Sequence, residues 1–259
     1  MNECTFTQLI EIFVKDGKMA KEMMSALVMS LGLAGGAAQA QDIGFGGSIS
    51  IFSDYVASGE SQTGRRPALQ FEGYAYVPQG FYAGISLSNV AFSEQWTDYY
   101  FGFPIDIPDS IELGVFVGWE YFTDFGLTLD VGYERYFYDD SGNCCGLLYL
   151  GADYEVNDMV EVGTRVTWNP SSGDTNIRGT LTVYPTDNIG LRAMIGRNQG
   201  NFDPDDPVDG RGDSPSAVNY WNLGFDYYFT DSVNVSLDYH NSNSKVRTSN
   251  FVFGVTYSF

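Results

Sequence analysis

The chain of 259 residues carries one histidine, three cysteines and only 13 Lys plus Arg, against 33 Asp plus Glu. So few basic residues exclude nucleic acid as a partner, because phosphate binding needs positive surface. A single histidine, His240, and two adjacent cysteines, Cys144 and Cys145, do not make a zinc site. No cofactor fingerprint is present. The chain also lacks an uninterrupted apolar run of twenty residues, which excludes a multi-span helical membrane protein. It does not exclude a membrane barrel, which hides its hydrophobicity by alternating it.

Aromatic residues are abundant: 18 Tyr, 19 Phe and 4 Trp. The last ten residues read "NFVFGVTYSF", with Phe251, Phe253, Val255, Tyr257 and Phe259 on every second position. Period-2 alternation marks a β-strand with one apolar face. An ordinary terminus is polar and frays, and this one would expose four aromatic rings if it did.

The first forty residues differ from the rest. Lys15, Lys18 and Lys21 precede "MMSALVMSLGLAGG", and Ala38-Gln39-Ala40 follows. A basic region, a short apolar region and an A-x-A triplet predict a secretory signal peptide over 1–40, with Met19 as an alternative start. Export places the remaining chain, 41–259, in an oxidising compartment. Cys4 falls in the leader. Cys144 and Cys145 lie in "DDSGNCCGLL", read as a loop. A strained vicinal disulfide, a cross-link to another chain and two thiols without a role are the open alternatives.

From residue 41 onward the chain breaks into twelve short alternating runs: 44–57, 68–77, 81–92, 111–122, 126–138, 146–156, 160–168, 176–184, 189–199, 218–229, 233–242 and 248–259. Most are about as long as a tilted strand that crosses a bilayer. Five connections are tight, at 78–80, 123–125, 157–158, 185–188 and 230–232. Six are longer, at 58–67, 93–110, 139–145, 169–175, 200–217 and 243–247. Short and long alternate, which puts both termini on the short-turn side, as in an outer-membrane barrel. The predicted fold is an all-β, antiparallel transmembrane barrel of twelve strands. Its last strand must pair with its first, because lipid offers no hydrogen bonds to an open edge.

One parity carries Leu127, Leu129, Val131 and Tyr133, then Trp221, Leu223, Phe225, Tyr227 and Phe229. In a barrel this face meets lipid, and Phe81, Trp119, Phe125, Trp168 and Phe229 near strand ends suit interfacial girdles. The other parity lines the lumen. It carries the acids Glu72, Glu112, Glu120, Asp130, Glu134, Asp153, Glu155, Glu161, Asp226 and Asp238, against the bases Arg165, Arg178 and Arg192. Three arginines on consecutive strands facing an acidic wall would set a transverse field across a constriction, and charged rings set selectivity. The competing arrangement pairs these arginines with Asp153, Glu161 and other acids to plug a narrow barrel.

The stretch "SDYVASGESQTGRRPALQ" at 53–70, with "GFYAGISLSNVAF" at 80–92, resembles the TorF-type porins of Gram-negative bacteria. The likeness rests on Ser53-Asp54-Tyr55, Gly59-Glu60-Ser61-Gln62-Thr63, Pro67-Ala68-Leu69-Gln70, Gly80–Gly84 and Ser88-Asn89, about forty residues in all. Family members often carry Arg before the loop glycine, where this chain has Ser58. The resemblance implies a porin-like barrel and names no substrate. The terminal phenylalanine likewise resembles the signal read by the outer-membrane assembly machinery, which assigns Phe251, Phe253, Val255, Tyr257 and Phe259 to assembly.

Remaining features are weaker. His240 shares parity with Ser236 and Asp238 and so faces the lumen, the wrong side for the lipid substrate of a barrel phospholipase. The loop "NFDPDDPVDGRGDSP" at 201–215 concentrates carboxylates, yet Pro204 and Pro207 interrupt any EF-hand spacing. Arg65 and Arg66 in the first long loop suit contact with lipopolysaccharide phosphates. The expected function is passive diffusion of small hydrophilic solutes through a cation-preferring channel in the bacterial outer membrane, without enzymatic activity. The alternative is a structural or adhesive barrel with a plugged lumen. Outer-membrane lipid, lipopolysaccharide and the assembly machinery are the expected partners.

Overall fold

The computed structural model describes residues 43–92, 108–200, 217–244 and 250–259. The predicted leader, most of the 93–110 loop, the carboxylate-rich loop 201–215 and part of the 243–247 loop lie outside the described residues. The strands are β1 Gly44–Phe52, β2 Val56–Ala57, β3 Glu60–Ser61, β4 Ala68–Tyr76, β5 Phe81–Asn89, β6 Ile111–Phe122 and β7 Leu127–Tyr138. They continue with β8 Gly142–Asn157, β9 Val160–Trp168, β10 Thr175–Thr186, β11 Ile189–Gln199, β12 Val218–Thr230, β13 Val233–Ser242 and β14 Asn250–Ser258. All but β2 and β3 form one closed antiparallel barrel of twelve strands, each paired with its chain neighbour.

Closure joins β1 to β14, with Ser48 opposite Ser258 and Phe52 opposite Gly254. Phe259 extends the ladder: its amide donates to the Gly47 carbonyl at 3.0 Å and its carbonyl accepts from the Gly47 amide at 3.1 Å. The apolar alternation of β14 therefore lies on the outside of the seam. Phe251 is 67 % exposed and Phe259 58 %.

The same inversion holds all round. Ile195 is 71 % exposed and Leu150 60 %, while Asp130, Asp226, Asp238 and Asn222 are buried. A water-filled surroundings would make this pattern costly, since apolar side chains gain by leaving water. At the short-turn end the outward rings cluster: Phe81 packs on Trp119, Trp119 on Tyr121, Tyr227 on Phe229 and Tyr257 on Phe259. The Trp119 indole donates to the Gln79 carbonyl at 2.8 Å, which ties this girdle to a turn.

Several boundaries differ from the sequence-based expectation: β5 ends at Asn89 rather than 92 and β10 runs Thr175–Thr186 rather than 176–184, and three further differences matter more. The run 44–57 is not one strand. It breaks after Phe52, and Val56–Ala57 turns back on Glu60–Ser61 through Ser58 and Gly59, at φ 49° and 82°. Two successive residues in the left-handed region match a tight hairpin turn, where glycine carries no steric penalty. Next, β8 begins at Gly142 rather than near 146, so Cys144 and Cys145 sit in a strand and not in a loop. The connection shrinks to 139–141 because Asp109 caps it, accepting the Asp140 amide at 3.0 Å, the Ser141 amide at 2.8 Å and the Ser141 hydroxyl at 2.5 Å. One hairpin on the long-loop side is thus as tight as those opposite. Lastly, β14 starts at Asn250 rather than 248.

Candidate lumen site

Inward parity brings small and large side chains together across the ladder. Gly118 of β6 and Gly132 of β7 are directly paired. Tyr82 of β5 faces Gly118, and Tyr149 of β8 faces Gly132. A side chain on either glycine would strike the adjoining tyrosine ring. The two rings therefore lie over the bare backbone from opposite sides, and their hydroxyls meet at 2.7 Å. Tyr82 also donates to Asp130 Oδ1 at 2.6 Å.

A second glycine gap delivers the counter-charge. Asp130 pairs with Gly151, and Gly151 pairs with Arg165. With no side chain between them, Arg165 Nη2 reaches Asp130 Oδ2 at 2.5 Å. The guanidinium also stacks over the Tyr149 ring, 4.6 Å from its centre. The same construction recurs on the far wall. Arg192 pairs with Gly224, and Gly224 with Asp238. Arg192 then bridges Asp226 at 2.5 Å and Asp238 at 3.0 Å. The ion pairs thus use Asp130, Asp226 and Asp238, other acids of the same wall, and among the described residues Asp153 and Glu161 make none. Cross-strand glycine decides the partner.

The three arginines do not stand at one level. Arg178 is directly opposite Arg165, whereas Arg192 is opposite Thr182, four residues further along β10. Among the described residues, Arg178 makes no ion pair. Glu155 and Glu161 face each other across β8 and β9 near the short-turn end, a like-charged pair. Asp153 lies on the same inward face of β8, against the gap left by Gly163.

These walls enclose a cavity of about 600 Å³ between Tyr55 and strands β1 and β4 to β9. Five carboxylates line it, Glu72, Glu112, Glu120, Asp130 and Glu134, together with one guanidinium, Arg165. Tyr74, Tyr82, Tyr136 and Tyr149 supply aromatic faces, and Ser48, Ser50, Ser86 and Ser88 small polar ones.

The first long loop, 53–67, crosses the mouth above this cavity. At its root, Asp54 accepts the Ser61 hydroxyl at 2.6 Å and the Asn250 side-chain amide, and lies 2.7 Å from Thr63 Oγ1. Thr63 is wholly buried. Tyr55 then donates to Glu112 Oε1 at 3.1 Å, and Tyr138 donates to Glu112 Oε2 at 2.7 Å. The hairpin tip reaches the opposite wall, where Ser58 Oγ accepts the Asn176 side-chain amide at 3.3 Å. A side chain at Gly59 would press on Ser242 and Tyr220 at 2.8 Å. Asp54, Tyr55 and Thr63 were not singled out as site residues from the sequence. The signal was present, because all three fall inside the Ser-Asp-Tyr and Gly-x-Ser-Gln-Thr motifs that carry the porin resemblance.

At the rim, the carboxylates of Asp109, Asp139 and Asp140 have oxygens within 4.8 Å of one another. Asp109 is occupied as a turn cap, and Asp139 accepts the Ser110 and Ile111 amides at 2.8 and 3.0 Å and the Ser110 hydroxyl at 2.6 Å. Partial burial works to raise the pKa of Asp139, and these hydrogen bonds outweigh it, so its carboxyl titrates below the ordinary range.

His240 lies on β13 opposite Asn222 and Asn250, inside the barrel and away from the outer face.

No curated protein sequence matches the chain. Among solved structures it is similar to the KdgM porin, with a TM-score of 0.56 and 14 % identity over 82 % of this chain and 99 % of that one. A KdgM porin in complex with disordered oligogalacturonate matches with a TM-score of 0.54 and 12 % identity, over 83 % and 98 % of the two chains. The NanC porin matches with a TM-score of 0.53 and 10 % identity, over 83 % and 99 %. At such identities the likeness is one of fold. In sequence, residues 36–259 match a family of bacterial proteins of unknown function, and the chain belongs to that family, Gcw_chp.

Proposed function

We propose that this protein is a porin-like channel of the bacterial outer membrane, passing small hydrophilic solutes by diffusion and preferring cations. One observation carries the reading. An apolar outer face encloses a polar cavity lined by five carboxylates and one guanidinium. A bilayer accepts such an outer face, and only a closed barrel satisfies its backbone there. Charge inside a low-dielectric wall is focused, so the acidic lining concentrates cations and repels polyanions. The solute class would therefore differ from the oligogalacturonate named with the KdgM complex.

The rest follows from that placement. Residues 1–40 act as the export leader. Phe251, Phe253, Val255, Tyr257 and Phe259 present the assembly signal. Arg65 and Arg66 face lipopolysaccharide. The motif at 53–70 supports grouping the chain with the TorF-type porins. His240, enclosed by the barrel, supports a transport role over a lipid-hydrolysing one.

The test is the reversal potential of the purified protein in a planar bilayer under a KCl gradient. The wild type should be cation-selective, and Glu72→Gln with Glu134→Gln should reduce that preference. Anion selectivity, or no response to the double substitution, would overturn the assignment of these side chains to the conducting path. The second reading, a surface barrel with a blocked lumen, is favoured by the loop across the mouth. A folded protein that gives no channel steps would select it.

A further inference from the structure

Cys144 and Cys145 are neighbours in β8, where alternation would send their side chains to opposite faces. The register prevents this. Arg135 pairs with Gly146 and Phe137 with Asn143, so Tyr136 alone stands opposite two residues. That is a β-bulge, one extra residue in one strand. Asn143 and Gly146 both lie on the outer face. Arg135 Nε donates to Asn143 Oδ1 at 2.7 Å, and a side chain at Gly146 would strike the outward Tyr133 ring. The two cysteines between them share the inner face. Their sulfurs are 2.8 Å apart, and both lie within electrostatic range of the inward Glu112. Both thiols are free, Cys144 exposed and Cys145 partly so.

We propose that Cys144 and Cys145 form a two-sulfur binding site for a trivalent thiophilic metalloid, of the class of arsenous acid and the organoarsenic oxides, at the long-loop mouth of the lumen. Soft thiolates select soft partners over magnesium or calcium. Tetrahedral zinc needs further nitrogen or sulfur ligands, and the one histidine of the chain is on β13. Trivalent arsenic needs only two thiols and keeps its third substituent. The reaction is balanced without an oxidant. With an organoarsenic oxide, two S–As bonds form, both bonding pairs of As=O break, and the two thiol protons leave with that oxygen as one water. With arsenous acid, two As–OH bonds break and the two protons leave with the two hydroxyls as two waters. The bulge fixes both sulfurs on one face before the ligand arrives, so little conformational freedom is lost on binding.

The experiment uses the full chain, folded in detergent micelles and kept reduced with a phosphine, with phenylarsine oxide as the probe. Intact mass should show one adduct, carrying one phenylarsenic group in place of two hydrogens. The adduct should survive excess 2-mercaptoethanol and be removed by 1,2-ethanedithiol. Cys144→Ser and Cys145→Ser should each lose it, while heat-modifiable gel mobility reports that both variants are folded. Release should be slower on the order of tenfold from the folded protein than from the urea-unfolded chain. No adduct on the reduced folded protein, equal retention by either serine variant, or equal release from the unfolded chain would overturn the proposal.

Discussion

Tyr82 and Tyr149 touch hydroxyl to hydroxyl at 2.7 Å although strands β6 and β7 stand between them. The contact exists because Gly118 and Gly132 leave a bare patch for the two rings. Gly132→Val should displace Tyr149 and cost about 1–3 kcal/mol, the usual range for overpacking. Gly179→Ala is the control, since its methyl would meet the Gly163 carbonyl oxygen and Ile195 Cγ1 at ordinary contact distances of 3.8 and 4.0 Å. Urea titration of the folded barrel should separate the two variants clearly. Equal loss in both would mean that the tyrosine pair does not depend on the glycine patch.

The bilayer face is tested one residue at a time. Leu129 points outward on β7 and Thr128 inward, where it pairs with Asp153. Leu129→Arg should cost about 2–4 kcal/mol in lipid, while Thr128→Arg should be milder. Refolding equilibria in lipid vesicles measure both. The reverse order would contradict a membrane location.

The loop across the mouth sets a third expectation. Replacing Val56–Ser61 by a two-residue turn removes the hairpin tip that meets Asn176, Tyr220 and Ser242. Single-channel conductance should rise. Tyr55→Phe should have a smaller effect, because it removes one of two hydroxyls bonded to Glu112. Unchanged conductance on loop replacement would show that the narrowest point lies elsewhere.

The last residue extends the closing seam. Phe259 adds two backbone hydrogen bonds to the β1 seam, and with Tyr257 it adds two outward rings. Truncation of Phe259, or its replacement with Tyr257 by serine, should lower the folded band in outer-membrane fractions. Wild-type levels in both variants would remove the terminal strand from any role in assembly.

The rim offers a pH test with a defined sign. The carboxyl of Asp139 is held below its ordinary range by the hydrogen bonds it accepts from Ser110 and Ile111. A depressed carboxylate stabilises fully above its unfolded pKa, and the contribution is lost as pH falls through the lower, folded value. Asp139→Asn should therefore speed hydrogen exchange at the Ser110 and Ile111 amides at neutral pH. The difference from wild type should close below the ordinary carboxylate range. A pH-independent difference would assign the effect to geometry instead of charge.

Strand number, strand direction and the inside-outside parity are legible in the sequence because they are local. Alternation has a period of two, and a run such as 233–242 or 189–199 states its own two faces without reference to any neighbour. The alternation of 250–259 likewise requires a partner for its edge. Three things were decided only by tertiary structure, and each is a relation between strands. Which acid pairs with Arg165 depends on a glycine, Gly151, that register sets between it and Asp130. Whether Cys144 and Cys145 share a face depends on one unpaired residue in the β7–β8 ladder. Whether the loop 53–67 stands in solvent or crosses the mouth depends on Asn176, Asn250 and Glu112, 118, 196 and 57 residues from their partners in the loop. Local periodicity fixes which face each residue takes but not which residue it meets on the next strand, and that register is what brings side chains from separate strands within hydrogen-bonding distance.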